Sequence, residues 1–421
     1  MKKLSKWGNE CLKMFKRFMR GSLSIATSNG FSKLFAIGFV IIAGRLLGPQ
    51  AYGNLAFILS IGAIISTIPA IIFPQALLWR LGFIDDDNSR GEVVVSGITG
   101  TIIILLLISI IVIIIPNIPW LVLIIVIADT LTYLFINIHQ GLLNYKKVAF
   151  FSLTRNLFKF SLVLVLWFGS NNYEWNYSHV VLIYLLAPML VITTLEIFLP
   201  TSIINDLKFD CNLLRQLGLY GLPIAGSSIA ITVLMRGDVV LLEYFDGETV
   251  TGNYYAAKQL FIPIMLFPVA LKGLLVPIIS GKHLLKDEWS KSIKIVLSIS
   301  AFLAIFAGFS GPFLVEKIYG PSFQVDQSLT LMISVSAWIL SVRSIIEAIL
   351  LGNGYSLRTF VANLCAAFFS LFLYLNFISA YGSEGAAQAL LLSSIFALIA
   401  MILSFISSEI IKNPFVNNGE N

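Results

Sequence analysis

Apolar and polar residues do not alternate along this chain; apolar residues run in long blocks, each closed by a short polar turn. Twelve blocks reach spanning length, at approximately 22–44, 54–79, 92–115, 119–142, 149–168, 179–199, 213–236, 254–280, 292–315, 327–351, 357–379 and 385–411. As helices rising about 1.5 Å per residue, most are long enough to cross a hydrocarbon core about 30 Å thick with some tilt. The second and eighth blocks are the least regular. Pro69, Pro74, Pro263, Pro268 and Pro277 interrupt an ideal helix there, and kinks beside a cavity are expected, because a freed carbonyl in a membrane needs another partner. Ahead of the blocks, residues 1–21 place Leu4, Trp7, Cys11, Phe15 and Phe18 at helical spacing among seven basic residues. That pattern predicts an amphipathic helix lying on an anionic membrane surface.

Composition agrees. With 57% hydrophobic and 12% charged residues, the chain departs from a soluble domain, which is nearer 45–50% apolar and about 25% charged. An all-α polytopic membrane protein is the reading. Cys11, Cys211 and Cys365 are far apart, and His139, His179 and His283 are scattered. Neither set suggests a disulfide framework or a metal site, and no nucleophile–base set or phosphate-binding loop is present. No enzymatic chemistry, cofactor or metal is therefore expected. Nucleic acid is excluded as a partner because the basic residues are divided among short loops and spans.

The net charge of +6 acquires meaning when it is divided by side. If the N-terminus lies inside, nineteen basic residues fall on inside segments, and only Arg45, Arg236 and Lys317 fall on outside turns. Positive residues concentrate on the cytoplasmic side, so both termini are expected there, with an even number of crossings. The halves also echo each other. Leu46-Leu47 followed by Gly53-Asn54 matches Leu241-Leu242 followed by Gly252-Asn253, and GLLNYKKVAF (141–150) resembles LLGNGYSLRTF (350–360). The expected organisation is a six-helix lobe over 22–200, a cytoplasmic linker over 201–212, a second lobe over 213–411 and a tail over 412–421, the parallel-repeat plan of many transporters.

The charges inside spans are the candidate chemistry. Arg155 and Lys159 are one helical turn apart in an apolar block, where like charges repel and each costs at least about 2.5–3.5 kcal/mol at the centre of a helix. With Lys33, Arg236, Lys258, Lys272 and Arg343 they make seven cations, against the four acids Asp129, Glu196, Asp238 and Glu347. Arg343 and Glu347, at i and i+4, are placed to pair. Lys258 could snorkel outward, and Arg236 and Asp238 could be interfacial. Lys258 and Lys272, fourteen residues apart, would share a face of one helix. Asp129 and Glu196 could neutralise Arg155 or Lys159, or could couple transport to a gradient. Because acids cannot balance all the cations, an anion in a central cavity is the economical partner. Tyr244, Tyr254 and Tyr255 read as an interfacial belt, with sugar stacking as the alternative.

Four stretches carry a resemblance: GRLLGPQAYGNLAFILSI (44–61), MRGDVVLLEYFDGETVTGNYYAAKQL (235–260), EKIYGPSFQVDQSLTLM (316–332) and YGSEGAAQALLLSSI (381–395). In matching order they resemble the polysaccharide-export branch of the multidrug/oligosaccharidyl-lipid/polysaccharide superfamily, which includes Wzx-type O-antigen flippases. The resemblance implies two pseudo-symmetric six-helix lobes in a V, as in toxin-extrusion transporters. It also implies flipping of undecaprenyl-diphosphate-linked oligosaccharide across a bacterial inner membrane by alternating access, driven by H⁺ or Na⁺. Other polysaccharide-assembly proteins and membrane lipids are then its partners. Arg236, the arginine of the MRGD stretch, and Lys258, the lysine after GNYYAA, are the residues it assigns to a cationic lumen. Twelve spans rather than fourteen set the chain outside the lipid II flippase branch. The alternatives are a drug/cation antiporter, which calls for an acid-dominated cavity, and an O-antigen polymerase or ligase, which calls for a large outer loop.

Overall fold

The computed structural model describes residues 2–81, 87–116, 118–142, 144–169, 176–194, 209–280 and 286–410, with side chains described from residue 31 onward apart from short stretches at helix ends and at 261–280. Among these residues the protein is all-helical: α1 (Lys2–Leu81), α2 (Asp87–Ile114), α3 (Leu121–Gly141), α4 (Tyr145–Gly169), α5 (Tyr177–Thr194), α6 (Cys211–Asp246), α7 (Glu248–Lys258), α8 (Phe261–Ser280), α9 (Lys286–Tyr319), α10 (Gln327–Gly352) and α11 (Ser356–Ile410). Among the described residues eight helices are long and apolar enough to cross a membrane, and the bent α7–α8 pair makes a ninth candidate. Two of the eight, 31–81 and 356–407, are 51 and 52 residues long. Uninterrupted, either would run about 75–80 Å, more than twice the hydrocarbon core.

Each is divided by a glycine. The chain breaks at Gly48 (φ 70°, ψ 175°) and at Gly382 (φ 58°, ψ −132°), left-handed conformations that only glycine adopts without strain. The prolines act differently from expectation: α1 stays helical through Pro69 and Pro74. The eighth block is interrupted at Gln259–Leu260, where α7 and α8 meet at a 54° bend. Lys258 and Lys272 therefore lie on two helices and do not share one face, which corrects the periodicity reading.

Polarity is distributed as lipid demands. On α9, Phe302, Phe306, Phe309 and Phe313 form an exposed stripe at three- and four-residue spacing, while α2 turns Ile103, Leu106, Leu107, Ile110 and Ile114 outward. Inside, α1 packs on α3 and α4, α10 packs on α8, α9 and α11, and α6 lies between α1 and α11.

The repeat is visible at the backbone. Gly247, between α6 and α7, has φ 78° and ψ −177°, nearly the conformation of Gly48, and lies 199 positions after it. Five residues beyond each, Gly53 and Gly252 meet across the halves. A Cβ on Gly53 would run into the Glu248 carbonyl and sit 3.0 Å from the Gly252 nitrogen. One on Gly252 would run into the Pro49 carbonyl and sit 3.1 Å from the Gly53 nitrogen. Such reciprocity, in which each glycine faces the residue four before its partner, is the mark of a two-fold interface. A second pair repeats within the halves: a Cβ on Gly141 would lie 2.9 Å from the Leu81 Cβ, and one on Gly352 would lie 2.8 Å from the Ile279 Cβ.

Around the Gly53–Gly252 contact the halves are sealed. Tyr52 packs its ring on Tyr255, Tyr319 and Phe323. Arg45 donates to the carbonyls of Lys317 and Ile318 at the C-terminus of α9, where a helix leaves acceptors without partners and favours a cation. Further along α1, the seam with α6 is also closed, by Ile72 against Gly221 and by Trp79 stacked on Tyr220 at 4.1 Å.

Candidate functional site

Between the two closed ends of that seam lies a cavity of about 460 Å³. Its polar walls come from both halves: Ser66 and Thr67 on α1, Asp129 and Tyr133 on α3, Ser227, Ser228, Thr232 and Arg236 on α6, Lys272 on α8 and Glu347 on α10. Thr67 and Thr232 approach to 3.4 Å between their hydroxyls, joining the halves across one wall. Two cations and two acids line the space, and what backs each acid decides the balance.

On the C-terminal side the cations are partnered. Lys272 Nζ lies 2.7 Å from Glu347 Oε2, and Arg343 Nη1 lies 3.7 Å from the same oxygen, so the i,i+4 pairing forms. Arg343 does not line the cavity; it stands behind Glu347 and donates to Asn363 Oδ1, whose amide in turn donates to Ser227 Oγ at 2.9 Å.

Lys258 and Asp238 lie elsewhere than expected. Neither is interfacial: Asp238 is fully buried and Lys258 nearly so. The ammonium donates to both Asp238 oxygens and, at 2.8 Å, to the Met235 carbonyl. Tyr254 donates to Asp238 Oδ2 at 2.6 Å, and the Val239 amide to Oδ1 at 2.8 Å. Neither Asp238 nor Lys258 lines the cavity; the cluster meets the wall only through Met235, whose carbonyl accepts from Lys258. It pins α7 to α6 one turn from Arg236, whose guanidinium donates to Tyr255 at 3.3 Å and does face the cavity. Tyr254 and Tyr255 are buried partners of charges, neither belt residues nor exposed platforms; Tyr244, 80% exposed, keeps the belt position.

On the N-terminal side Asp129 lines the cavity and accepts from Ser66 at 3.1 Å. Both Arg155 and Lys159, on α4, lie within its electrostatic reach, but no ion pair within 4 Å joins them among the described residues. Lys159 is buried with Nζ 3.4 Å from the centre of the Tyr184 ring on α5, a cation–π contact in place of a carboxylate. The Arg155 Nε is buried with no hydrogen-bond partner among the described residues. Lys33 is half-buried and is not a cavity residue; its neighbour Ser32 ties α1 to α4 by donating to the Ser152 carbonyl and accepting from Asn156, both at 2.6 Å. Glu196 lies outside the described residues, as do the 201–208 linker segment and the 412–421 tail.

The cations with a carboxylate in contact are thus Lys258, Lys272 and Arg343, whereas Arg155, Lys159 and Arg236 are held by aromatic rings, a phenol or distant charge. Sequence reasoning missed the neutral residues around these charges: Ser66 on Asp129, Tyr184 under Lys159, and Asn363, anchored by Ser227, on Arg343. A hydroxyl or amide inside an apolar block was the available signal, but such residues also serve ordinary helix packing.

A family model described as polysaccharide biosynthesis protein matches residues 18–283. No curated protein sequence matches the chain. Among solved structures, an inward-facing multidrug resistance MATE family transporter of the MOP superfamily is similar at TM-score 0.68 and 16% identity, covering 93% of this chain and 97% of the other. The lipid II flippase MurJ, in an inward closed conformation, is similar at TM-score 0.68 and 15% identity, covering 91% and 87%. A MOP superfamily transporter from Pyrococcus furiosus, described as having a binding pocket of reverse polarity, is similar at TM-score 0.62 and 14% identity, covering 93% and 95%. At these identities the likeness shows the fold alone, the all-helical membrane fold shared with these transporters.

Proposed function

The chain belongs to the polysaccharide biosynthesis protein family, and from that premise we propose that it flips a polyprenyl-diphosphate-linked oligosaccharide across a bacterial inner membrane by alternating access. Twelve crossings, with both termini in the cytoplasm, are part of this reading. So is an H⁺ or Na⁺ gradient as the driving force, with the wall carboxylate Asp129 as a candidate coupling group. Surface-polysaccharide repeat units such as O-antigen are the substrate class, and the enzymes that build and polymerise them are the natural partners.

The observation that carries the proposal is the charge on and around the cavity wall, where the lining combines Arg236 and Lys272 with Asp129 and Glu347 and further cations stand near both acids. Arg236 faces the space with no carboxylate within 4 Å among the described residues. Glu347 is shared by two cations, and Asp129 stands opposite two more. The surplus favours an anion, and a diphosphate offers the acceptors that a guanidinium binds best. A drug/cation antiporter would require the reverse excess.

Deleting the gene should cause a lipid-linked oligosaccharide to accumulate on the cytoplasmic face; export of drug cations without that accumulation would favour the antiporter. Arg236→Ala should weaken binding of a polyprenyl diphosphate by about 10- to 100-fold, the range for losing charge-assisted hydrogen bonds worth about 1.5–3 kcal/mol. Titration of the purified protein checks this. Arg155→Ala and Lys159→Ala should each lower export of surface glycan while membrane insertion stays intact. Wild-type export from both variants would remove these residues from the anion path.

A further inference from the structure

Among the described residues Glu347 is the one wall carboxylate with a cation in contact on each side. Lys272, 31% exposed and on the cavity surface, lies 2.7 Å away; Arg343, buried behind it, lies 3.7 Å away and is held by Asn363. The cavity-side pair is therefore the shorter one, although the buried guanidinium is the more costly charge to leave unmatched. We propose that Lys272 is a cation held in reserve: an anionic ligand entering the cavity takes Lys272 from Glu347, and Glu347 closes onto Arg343. This rests on the flippase reading and gives the diphosphate a specific lysine.

The exchange needs three conditions, and each is met. The lysine must be able to leave, and Lys272 has a flexible stem and a partly exposed side chain, on a helix that follows the 54° bend at Gln259–Leu260. The carboxylate must not be stranded when it leaves, and Arg343 is already within reach. The second cation must stay while the first moves: Arg343 is fixed by Asn363, which Ser227 anchors from α6 across the helix interface. Empty, the wall thus presents a satisfied pair rather than two bare charges, so the cavity does not have to hold an uncompensated ammonium in a membrane. Occupied, it presents Lys272 as well as Arg236, the two cavity-lining cations among the described residues.

Two charge-neutral double variants test this, because simple attraction by net charge predicts no change in either. Glu347→Gln/Arg343→Met frees Lys272 and should tighten binding of farnesyl diphosphate to the full-length protein about tenfold. Lys272→Met/Glu347→Gln removes the reserve cation and should weaken it about tenfold. Unchanged affinity in both, or shifts of the same sign, would overturn the exchange. A measurement on the wild type covers the case in which a variant fails to fold: bound farnesyl diphosphate should slow acetylation of Lys272, read by mass spectrometry, several-fold. A bound probe that gives no protection would also overturn the exchange. Inorganic pyrophosphate, run in parallel, separates the source of the anion. Opposite shifts with both probes assign the exchange to the diphosphate alone, and opposite shifts with the lipid probe only assign it to a headgroup delivered from the membrane; both outcomes support it. If the wild type binds neither farnesyl diphosphate nor pyrophosphate, the flippase reading itself falls. Binding without the opposite shifts removes only the exchange.

Discussion

Asp238→Ala should destabilise the protein by about 3–5 kcal/mol, the range for breaking a buried ion pair by deleting one partner. Asp238 has no exposure, and it satisfies the Lys258 ammonium, the Tyr254 hydroxyl and the Val239 amide together. Its loss strands a cation between α6 and α7, where the Met235 carbonyl is the one acceptor left to Lys258 among the described residues. The matched replacement Asp238→Leu/Lys258→Met should recover much of the loss, because removing both charges removes the desolvation cost along with the attraction. Thermal aggregation in detergent, followed by size exclusion, measures both. Single and double variants of equal stability would show that the pair does not hold these helices together. Since neither Asp238 nor Lys258 lines the cavity, whatever double variant remains folded should still bind a polyprenyl diphosphate through Arg236.

Gly53→Ala is expected to have the second large effect, on conformation. The added methyl would enter the Glu248 carbonyl, and a backbone atom cannot swing aside as a side chain can. Overpacking of this kind costs about 1–3 kcal/mol, charged only to the arrangement in which α1 and α7 touch. For a protein that alternates, the population should shift roughly 5- to 150-fold toward the arrangement with that end apart. A cysteine at Asn54, in a background without the native cysteines, should then react faster with an impermeant maleimide. Gly252→Ala should do the same, because its methyl meets the Pro49 carbonyl. Unchanged labelling in both would mean that this contact does not limit opening.

The sequence makes the membrane class legible because lipid imposes one rule on every span, and apolar blocks report it directly. The repeat was also legible, and more so than its weak letters suggest: Gly53 and Gly252, the residues that align the halves, are the ones that touch. What the blocks conceal is where a helix stops. Proline draws attention, yet the φ values show that the breaks fall at glycines, in Gly48-Pro49, Asp246-Gly247 and Tyr381-Gly382; these are turn dipeptides or tight positions whose signal is short. The break at Gln259–Leu260 carries no such residue, so the face shared by Lys258 and Lys272 was an artefact of counting through it.

Among the charges, the sequence gives the excess but not its distribution. Arg343 and Glu347 pair through helical spacing, which a sequence displays. Lys272 joins them from another helix, and Lys159 finds Tyr184 twenty-five positions away on α5. Such partners are set by how helices cross, so only the tertiary structure separates a neutralised lysine from one still available to a ligand.

The volume of the cavity has a consequence for fidelity. At about 460 Å³ it falls in the range of sites that enclose a single small molecule, roughly 300–1,000 Å³. A lipid-linked oligosaccharide, the substrate proposed above, is larger than that, so only part of it could be surrounded at one time. Charged walls would inspect the phosphorylated joint that all such carriers share, leaving the distal sugars unread. Discrimination among glycans would then rest with the enzymes that assemble the carrier, and one translocator could accept a new sugar sequence without any change in its own walls.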